Sequence, residues 1–234
     1  PHQVPMLTIN RLCGSGAQSV ISAAQMIMLG EAETVVAGGM ENLSQSPHVL
    51  RDERTTYKLG RSPRKGEEIP RDMEDYFFTN LRDDVCGYFM AQTSDELCKM
   101  LDVSREDADS FAALSHQRTE NSIRNGIWED EIVEVITPEG VLDSSHDDHV
   151  VLGTTIESLS GLRTHFGPDS LVTAGNASGV VDGAAAIVVK SGARAKSDGD
   201  APLSRIVSWG IVGLDPKIMA HGPVPSSNLA LQKA

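Results

Sequence analysis

The stretch from Met6 to Leu29, MLTINRLCGSGAQSVISAAQMIML, decides how the chain is read. Met6 to Asn10 predicts a short buried strand, because Leu7 and Ile9 are apolar and Thr8 is β-branched. Cys13-Gly14-Ser15-Gly16 then predicts a sharp turn, since two glycines accept backbone angles that other residues cannot. From Ala17 onward the apolar residues Val20, Ile21, Ala24, Ile27 and Met28 recur at helical spacing, and Gly30 supplies a stop. Cys13 is thereby expected between a strand end and a helix start, where free backbone N–H groups point outward. A negative charge at such a place gains only about 0.3–1 kcal/mol, so the thiol would still need a base to take its proton. Read without its neighbours, a free cysteine is explained equally well as a small buried hydrophobe.

Working outward, Glu33 to Met40 predicts a second strand, with Thr34-Val35-Val36-Ala37 as a continuous apolar run ended by Gly38-Gly39. Strand, helix and strand in this order predict a parallel βαβ unit covered on both faces. From about Ser44 to Asp84 the chain is polar, charged and proline-punctuated, as expected of a functional excursion from a core. Thr93-Ser94-Asp95-Glu96 matches a capping box ahead of Leu97, Met100 and Leu101. A further helix is expected after Ser104, with Ala108, Phe111, Ala112 and Ile123 on its buried face and Gly126 at its end. Glu131–Ile136, Leu171–Ala174, Ala184–Val189 and Ser204–Ile211 predict strands, and Pro225 to Ala234 predicts a helix. His146 and His149 beside Asp147-Asp148 predict an exposed polar turn rather than a metal site, so no metal is expected.

Composition narrows the function classes. The formal charge of −13 over 234 residues argues against nucleic acid as a partner. It leaves room for a small anionic ligand, because a local patch decides that. One such patch is Arg51 to Arg71, with Arg51, Arg54, Lys58, Arg61, Arg64, Lys65 and Arg71; its plainest reading is a solvated loop. No apolar run approaches the roughly eighteen residues of a membrane span. The start, PHQVPMLTIN, has neither the charge nor the apolar core of a signal peptide and enters a predicted strand at once, so the numbering is expected to begin inside a longer protein. Cys13, Cys86 and Cys98 cannot all pair and lack metal-type spacing, which points to a reducing compartment such as the cytoplasm, or an organelle matrix in a eukaryote.

Several blocks together resemble the thiolase family. They are Asn10-Arg11-Leu12-Cys13-Gly14-Ser15-Gly16, Val35-Val36-Ala37-Gly38-Gly39-Met40-Glu41-Asn42, Val172-Thr173-Ala174-Gly175-Asn176-Ala177-Ser178-Gly179 and Asp182-Gly183-Ala184-Ala185-Ala186. Asp215-Pro216 to Pro225, with Met219 and Gly222-Pro223-Val224-Pro225, extends the series, and all fall in the family's order. The resemblance implies an α/β fold: a layered thiolase-like core, incomplete here, with an inserted α+β loop domain. It divides the chain into 1–44 as part of the N-terminal core, 45–180 as the loop domain that meets coenzyme A and other subunits, 181–200 as the return to that core, and 201–234 as the start of the C-terminal half.

The same resemblance implies an acyltransferase that cleaves 3-ketoacyl-CoA with free CoA, or condenses two acyl-CoA molecules, as a dimer or tetramer. Cys13 matches the nucleophile that carries the acyl group, a role suited to a thiolate that attacks well and leaves tolerably. Its backbone N–H matches half of an oxyanion hole. Ser178 matches the serine near the thioester end of the pantetheine arm. Ser158, Phe166 and Ala174 match positions along the arm and nucleotide, and Leu81 and Met90 match apolar contacts; without the family, Phe166, Leu81 and Met90 read equally as core packing. CoA is then a substrate, and no further cofactor is implied. Two positions depart from the pattern. Val151 stands where members commonly carry an arginine near the adenine, and Phe89 stands where short-chain biosynthetic members carry a histidine.

Two other readings stay open at this level: a decarboxylating ketoacyl synthase of the same superfamily, and a non-catalytic relative that binds acyl-CoA or lipid. The family's Asn-Glu-Ala-Phe and Gly-His-Pro blocks, and its second cysteine ahead of a glycine run, do not occur among these residues. A placed general base contributes about 10²–10⁴-fold, so residues 1–234 alone are expected to show no meaningful cleavage of acetoacetyl-CoA by CoA. Robust turnover by the isolated polypeptide would mean that another residue, His48 or His221, supplies the base.

Overall fold

The computed structural model describes residues 2–50, 73–142 and 149–234. The basic segment Arg51 to Arg71, and His146 with Asp147-Asp148, lie outside the described residues. In chain order the elements are α1 (Ser15–Met28), β1 (Thr34–Glu41), β2 (His48–Leu50), β3 (Met73–Asp75), α2 (Tyr76–Asn80), α3 (Met90–Met100), α4 (Arg105–Arg124), β4 (Val135–Thr137), β5 (Gly140–Leu142), α5 (Ile156–Ser160), β6 (Gly183–Lys190), α6 (Gly192–Asp198) and α7 (Pro223–Lys233). They divide into two units. The first holds Pro1–Thr79, Val180–Gly213 and Gly222–Ala234, and the second holds Asn80–Gly179 and Leu214–His221.

The first unit is built on β1 and β6, which run antiparallel from Thr34 opposite Lys190 to Glu41 opposite Gly183. Successive side chains of such a ribbon face opposite ways. Val35, Ala37 and Val189 therefore share one face, and α1 covers it with Val20, Ala23 and Ile27. Ala23, Ala37 and Val189 are buried there, small enough to let the helix lie close. The other face carries Val36, Met40 and Val188, all more than half exposed. Gly38 is demanded by the pairing itself, since a Cβ at that position would stand 2.2 Å from the Ala185 carbonyl oxygen. At the end of α1, Gly30 takes a φ of 77° and the Glu31 N–H donates to the Met26 carbonyl at 3.0 Å, so the predicted stop is observed.

Four expectations for this unit are overturned. Met6 to Asn10 is not a strand; Met6 and Leu7 are 93% and 67% exposed, and β1 pairs with β6 instead. The parallel βαβ unit is therefore absent among the described residues. An apolar run reports burial but carries no information on the direction of the neighbouring strand. Ser204 to Ile211 is likewise no strand. It lies against α7, where the Ser208 hydroxyl donates to the Ala230 carbonyl at 2.6 Å and Gly210 is close enough that a Cβ would sit 2.0 Å from the Ser226 carbonyl oxygen. Met28, expected on the packed stripe of α1, is 75% exposed.

In the second unit, α4 starts where predicted. The Ser104 hydroxyl accepts from the Asp107 N–H at 3.1 Å, and Asp107 accepts from the Ser104 N–H at 2.9 Å, a reciprocal cap. Its buried stripe differs from expectation: Asp109, Ala112 and Ala113 are buried, while Phe111 is 74% exposed. Ala112 and Ala113 pack on Leu159 of α5. The helix α3 begins at Met90 rather than Thr93, because the Gln92 side chain reaches back to the Phe89 N–H at 2.8 Å. Thr93 and Asp95, read as cap residues, are instead buried within the helix. Glu131 to Ile136 contributes only its end to β4, which pairs with β5 across a turn at Gly140. Leu171 to Ala174 makes a single bridge, Thr164 to Thr173.

The pairing of Glu41 with Gly183 leaves the chain departing and returning at adjacent points, and a clasp closes that neck. Asp182 accepts from the Ser44 N–H at 2.9 Å and from its hydroxyl at 2.5 Å. These bonds, the hydroxyl first, hold the Asp182 carboxyl below its usual range. A lowered folded pKa contributes stability that is present above the unfolded value of about 3.9 and lost as pH falls through the folded value. Asp182→Asn in the whole protein is thus expected to lower denaturation midpoints at neutral pH, with the deficit closing below about pH 4. A deficit unchanged down to pH 3 would show that the carboxylate charge has no part in the clasp.

Candidate functional site

Cys13 sits in a one-turn 3-10 helix, Leu12–Gly14, that runs directly into α1. The turn is not made by glycine. Gly14 has an ordinary φ of −83°, and the left-handed residue is Leu12, with φ 48°. A branched side chain in that region costs about 1–3 kcal/mol and persists only where its surroundings over-determine it. Here four hydrogen bonds do so. Asn10 Oδ1 accepts from the Leu12 N–H at 2.8 Å, and the Gly14 N–H donates to the Arg11 carbonyl at 3.0 Å. The Ser15 hydroxyl accepts from the Arg11 N–H at 2.8 Å and donates to the Leu12 carbonyl at 2.7 Å. The Cys13 N–H takes part in none of these bonds, and its side chain is exposed. Ser15 and Asn10 were not singled out by sequence reasoning as the residues that hold the elbow; a serine at the first position of a helix was the available signal. Gly14 still has a role, since a Cβ there would meet the Arg11 side chain at 3.3 Å.

The other sequence-predicted residues lie in the second unit. Leu81 and Met90 close a tight loop, with the Met90 N–H donating to the Leu81 carbonyl at 2.9 Å and Arg82 bridged to Phe89. Inside that loop Asp83 accepts from the Cys86 and Val85 N–H groups at 2.9 and 2.8 Å, which keeps its carboxyl below the usual range. Phe166 stacks on Phe89 with ring centroids 6.0 Å apart, and meets its neighbour His165 in a T-shaped contact at 4.8 Å. The structure therefore brings Phe166 to the loop of Leu81 and Met90, through an aromatic side chain that the sequence flagged only as a departure. The His165 N–H donates to the Val172 carbonyl at 2.8 Å, drawing Phe166 toward the turn that holds Ala174. Ala174 and Ser178 are exposed, and the Ser178 hydroxyl is hydrogen-bonded to no described residue.

Ser158 is placed differently from a free ligand group. It is the third residue of α5; its hydroxyl accepts from the Thr155 N–H at 3.1 Å and donates to the Thr155 carbonyl at 2.8 Å. Beside Ser178, the His149 imidazole occupies the space over Gly179, where a Cβ would come within 1.8 Å of the ring. Among the described residues no group of three or more His, Cys, Asp or Glu is placed to hold a metal ion, and no helix is long and apolar enough to cross a membrane.

Comparison with known proteins identifies the family. Residues 1–193 match the family described as the thiolase N-terminal domain. The chain is 41% identical over 237 residues to an acetyl-CoA acetyltransferase of Cupriavidus necator, and 41% identical over 236 residues to the mitochondrial 3-ketoacyl-CoA thiolase of Homo sapiens. Those alignments cover 100% of this chain but 58% and 57% of the relatives. A crystal structure of human mitochondrial 3-ketoacyl-CoA thiolase in complex with CoA superposes with a TM-score of 0.86 at 39% identity, over 100% of this chain and 56% of that one. An acetyl-CoA acetyltransferase structure from Bacillus anthracis gives 0.81 at 37%, over 96% of this chain and 55% of that one.

The three thiols differ in setting. Cys13 is exposed, Cys86 and Cys98 are half-buried, and burial, with Asp95 adding its charge, pushes the Cys98 thiol up. The thiolate is the reactive form. Limited alkylation with iodoacetamide at pH 7.5 is therefore expected to modify Cys13 first, roughly ten-fold or more ahead of Cys98. Peptide mapping that found Cys98 labelled first would contradict this order.

Proposed function

Because the chain belongs to the thiolase family, we propose that the whole protein is a thiolase, an acyltransferase acting through an acyl-Cys13 intermediate. The observation that carries this reading is Cys13 itself, exposed on a strained elbow ahead of α1 with its own N–H outside the elbow's hydrogen bonds. In the cleavage direction the Cys13 sulfur attacks the 3-keto carbon of a 3-ketoacyl-CoA. The bond between C2 and C3 then breaks, and the departing acetyl-CoA takes a proton at C2. The thiol of a second CoA attacks the Cys13 thioester, releases the shortened acyl-CoA and returns the sulfur. Condensation is the same sequence reversed. The Cys13 N–H supplies one donor to the oxyanion that develops in each attack, an effect of a few kcal/mol in comparable enzymes.

CoA is assigned to the second unit, along Leu81, Met90, Ser158, Phe166, Ala174 and Ser178. Its support is the clustering of Leu81, Met90 and Phe166 through Phe89, together with the CoA held by the similar human enzyme. Ser158 would act through its backbone and the end of α5, since its hydroxyl is engaged with Thr155. Residues 45–180 are taken as the inserted loop domain, and residues 1–44 and 181–200 as N-terminal core with 201–234 opening the C-terminal half. Proton transfers are assigned to the histidine and second cysteine of the family blocks that these 234 residues do not contain. Assembly as a dimer or tetramer, and residence in cytoplasm or an organelle matrix, complete the proposal; relatives from bacteria and mitochondria support the latter.

Acetyl-CoA incubated with the whole protein, acid-quenched and digested, is expected to leave its acyl group on the Cys13 peptide. Cys13→Ala should abolish that label and lower thiolysis by on the order of 10⁴-fold or more. An acyl label that persists on another residue in the variant would refute the assignment.

A further inference from the structure

A buried carboxylate in the second unit has no part in the chemistry above. Asp109, on α4, is 1% exposed. Its Oδ2 accepts from Arg105 Nε at 2.7 Å, and its Oδ1 accepts from Asn176 Nδ2 at 3.0 Å. Neither partner stops there. Arg105 Nη2 donates to the carbonyls of Leu159 and Leu162 at 2.8 and 3.3 Å, the last carbonyls of α5 and the turn after it. Asn176 also donates to the Leu171 carbonyl at 2.8 Å and accepts from the Thr173 N–H at 2.8 Å, so every bond of its amide is directional and its orientation is settled. The Leu171 N–H in turn donates to Asp95 Oδ1 at 2.8 Å, from the buried face of α3.

Two points in this geometry matter. First, a carboxylate taken out of water must keep its partners, because an uncompensated buried charge is far more costly than a lost neutral bond. Asn176 and Arg105 are thereby pinned. Second, the backbone they hold is the segment that carries four of the proposed CoA residues. Leu159 follows Ser158 directly, Thr173 precedes Ala174, Ser178 lies two residues past Asn176, and Phe166 falls between the two anchored ends. Neighbouring apolar contacts alone would fill the space with less cost in desolvation. What they would not supply is direction, and a site whose supporting residues leave it about 1 Å too loose fails as a site.

We propose that Arg105, Asp109 and Asn176 are positioning residues for coenzyme binding: one buried carboxylate locks both ends of the 158–178 segment in the conformation that accepts CoA. The inference rests on the assignment of CoA to that segment. Its test uses the whole protein with Arg105→Lys, which keeps a cation beside Asp109 but loses the planar fork to the two carbonyls, and Asn176→Ala, which removes the link at the other end. CoA affinity by calorimetry and KM for CoA in thiolysis are expected to weaken about ten-fold in each, the consequence of one buried bond lost, with kcat within about two-fold. Amide exchange should accelerate across residues 159–176 and stay unchanged across Thr34–Glu41 and Gly183–Lys190. The rate of Cys13 alkylation should also be unchanged. If Asn176→Ala does not fold, Arg105→Lys carries the test. CoA affinity and KM unchanged in the folded variants, with only thermal stability lowered, would overturn the proposal. Phe166→Ala separates the two levels. If it weakens CoA binding while Arg105→Lys and Asn176→Ala do not, the lock is wrong and the CoA site stands; if Phe166→Ala too leaves affinity unchanged, the CoA site itself is wrong and the lock falls with it.

Discussion

The first unit depends on the ladder between Thr34–Glu41 and Gly183–Lys190, two segments far apart in sequence. Without it α1 would have no surface to lie on, because the helix packs Val20, Ala23 and Ile27 against side chains drawn from both strands. The small size of Ala37 and Ala23 sets how close that helix comes, and the closeness fixes where α1 begins. Cys13 stands at that beginning. A side chain at the head of a helix is only as well placed as the helix, so the alanine contacts beneath α1 bear on Cys13 even though none touches it.

The elbow adds a second layer of constraint. Leu12 is held in a conformation that a leucine avoids, and the Ser15 hydroxyl, by both accepting and donating, is what keeps it there. Strain of this kind persists only where the surroundings over-determine it. The second unit uses a different device for a similar end. There the buried Asp109 carboxylate, bonded to Arg105 and Asn176, makes departure from one arrangement costly.

Much of this was legible in the residues, for local reasons. Ser104 with Asp107, Gly30 after Met28, and the apolar run ahead of Lys190 each carry their structural meaning within a few positions. The partners of the strands were not legible, since an apolar run says nothing of which strand lies beside it or in which direction. Phe111 and Asp109 were exchanged for the same reason in another form. Hydrophobicity favours the phenylalanine as the buried residue, and only the distant Asn176 and the nearby Arg105 make burial of the aspartate affordable. Leu12 was missed because positive φ is ordinarily read from glycine, and the two glycines beside it drew the assignment. Among the residues matched to CoA contacts, Phe166, Leu81 and Met90 proved to be neighbours through Phe89, whereas the Ser158 hydroxyl is committed to its own helix cap.

The opposition of Glu41 and Gly183 has a consequence for how such a chain can change over generations. Everything between those two residues is, to the ribbon, a loop whose ends are already held side by side and clasped by Ser44 and Asp182. The entropy of closing a loop grows only with the logarithm of its length, about 0.6 kcal/mol for each doubling. Insertions and deletions in that intervening chain therefore tax the ribbon and the elbow of Cys13 very little. Selection is free to lengthen, trim or recast that intervening chain while Cys13 remains on an unaltered support.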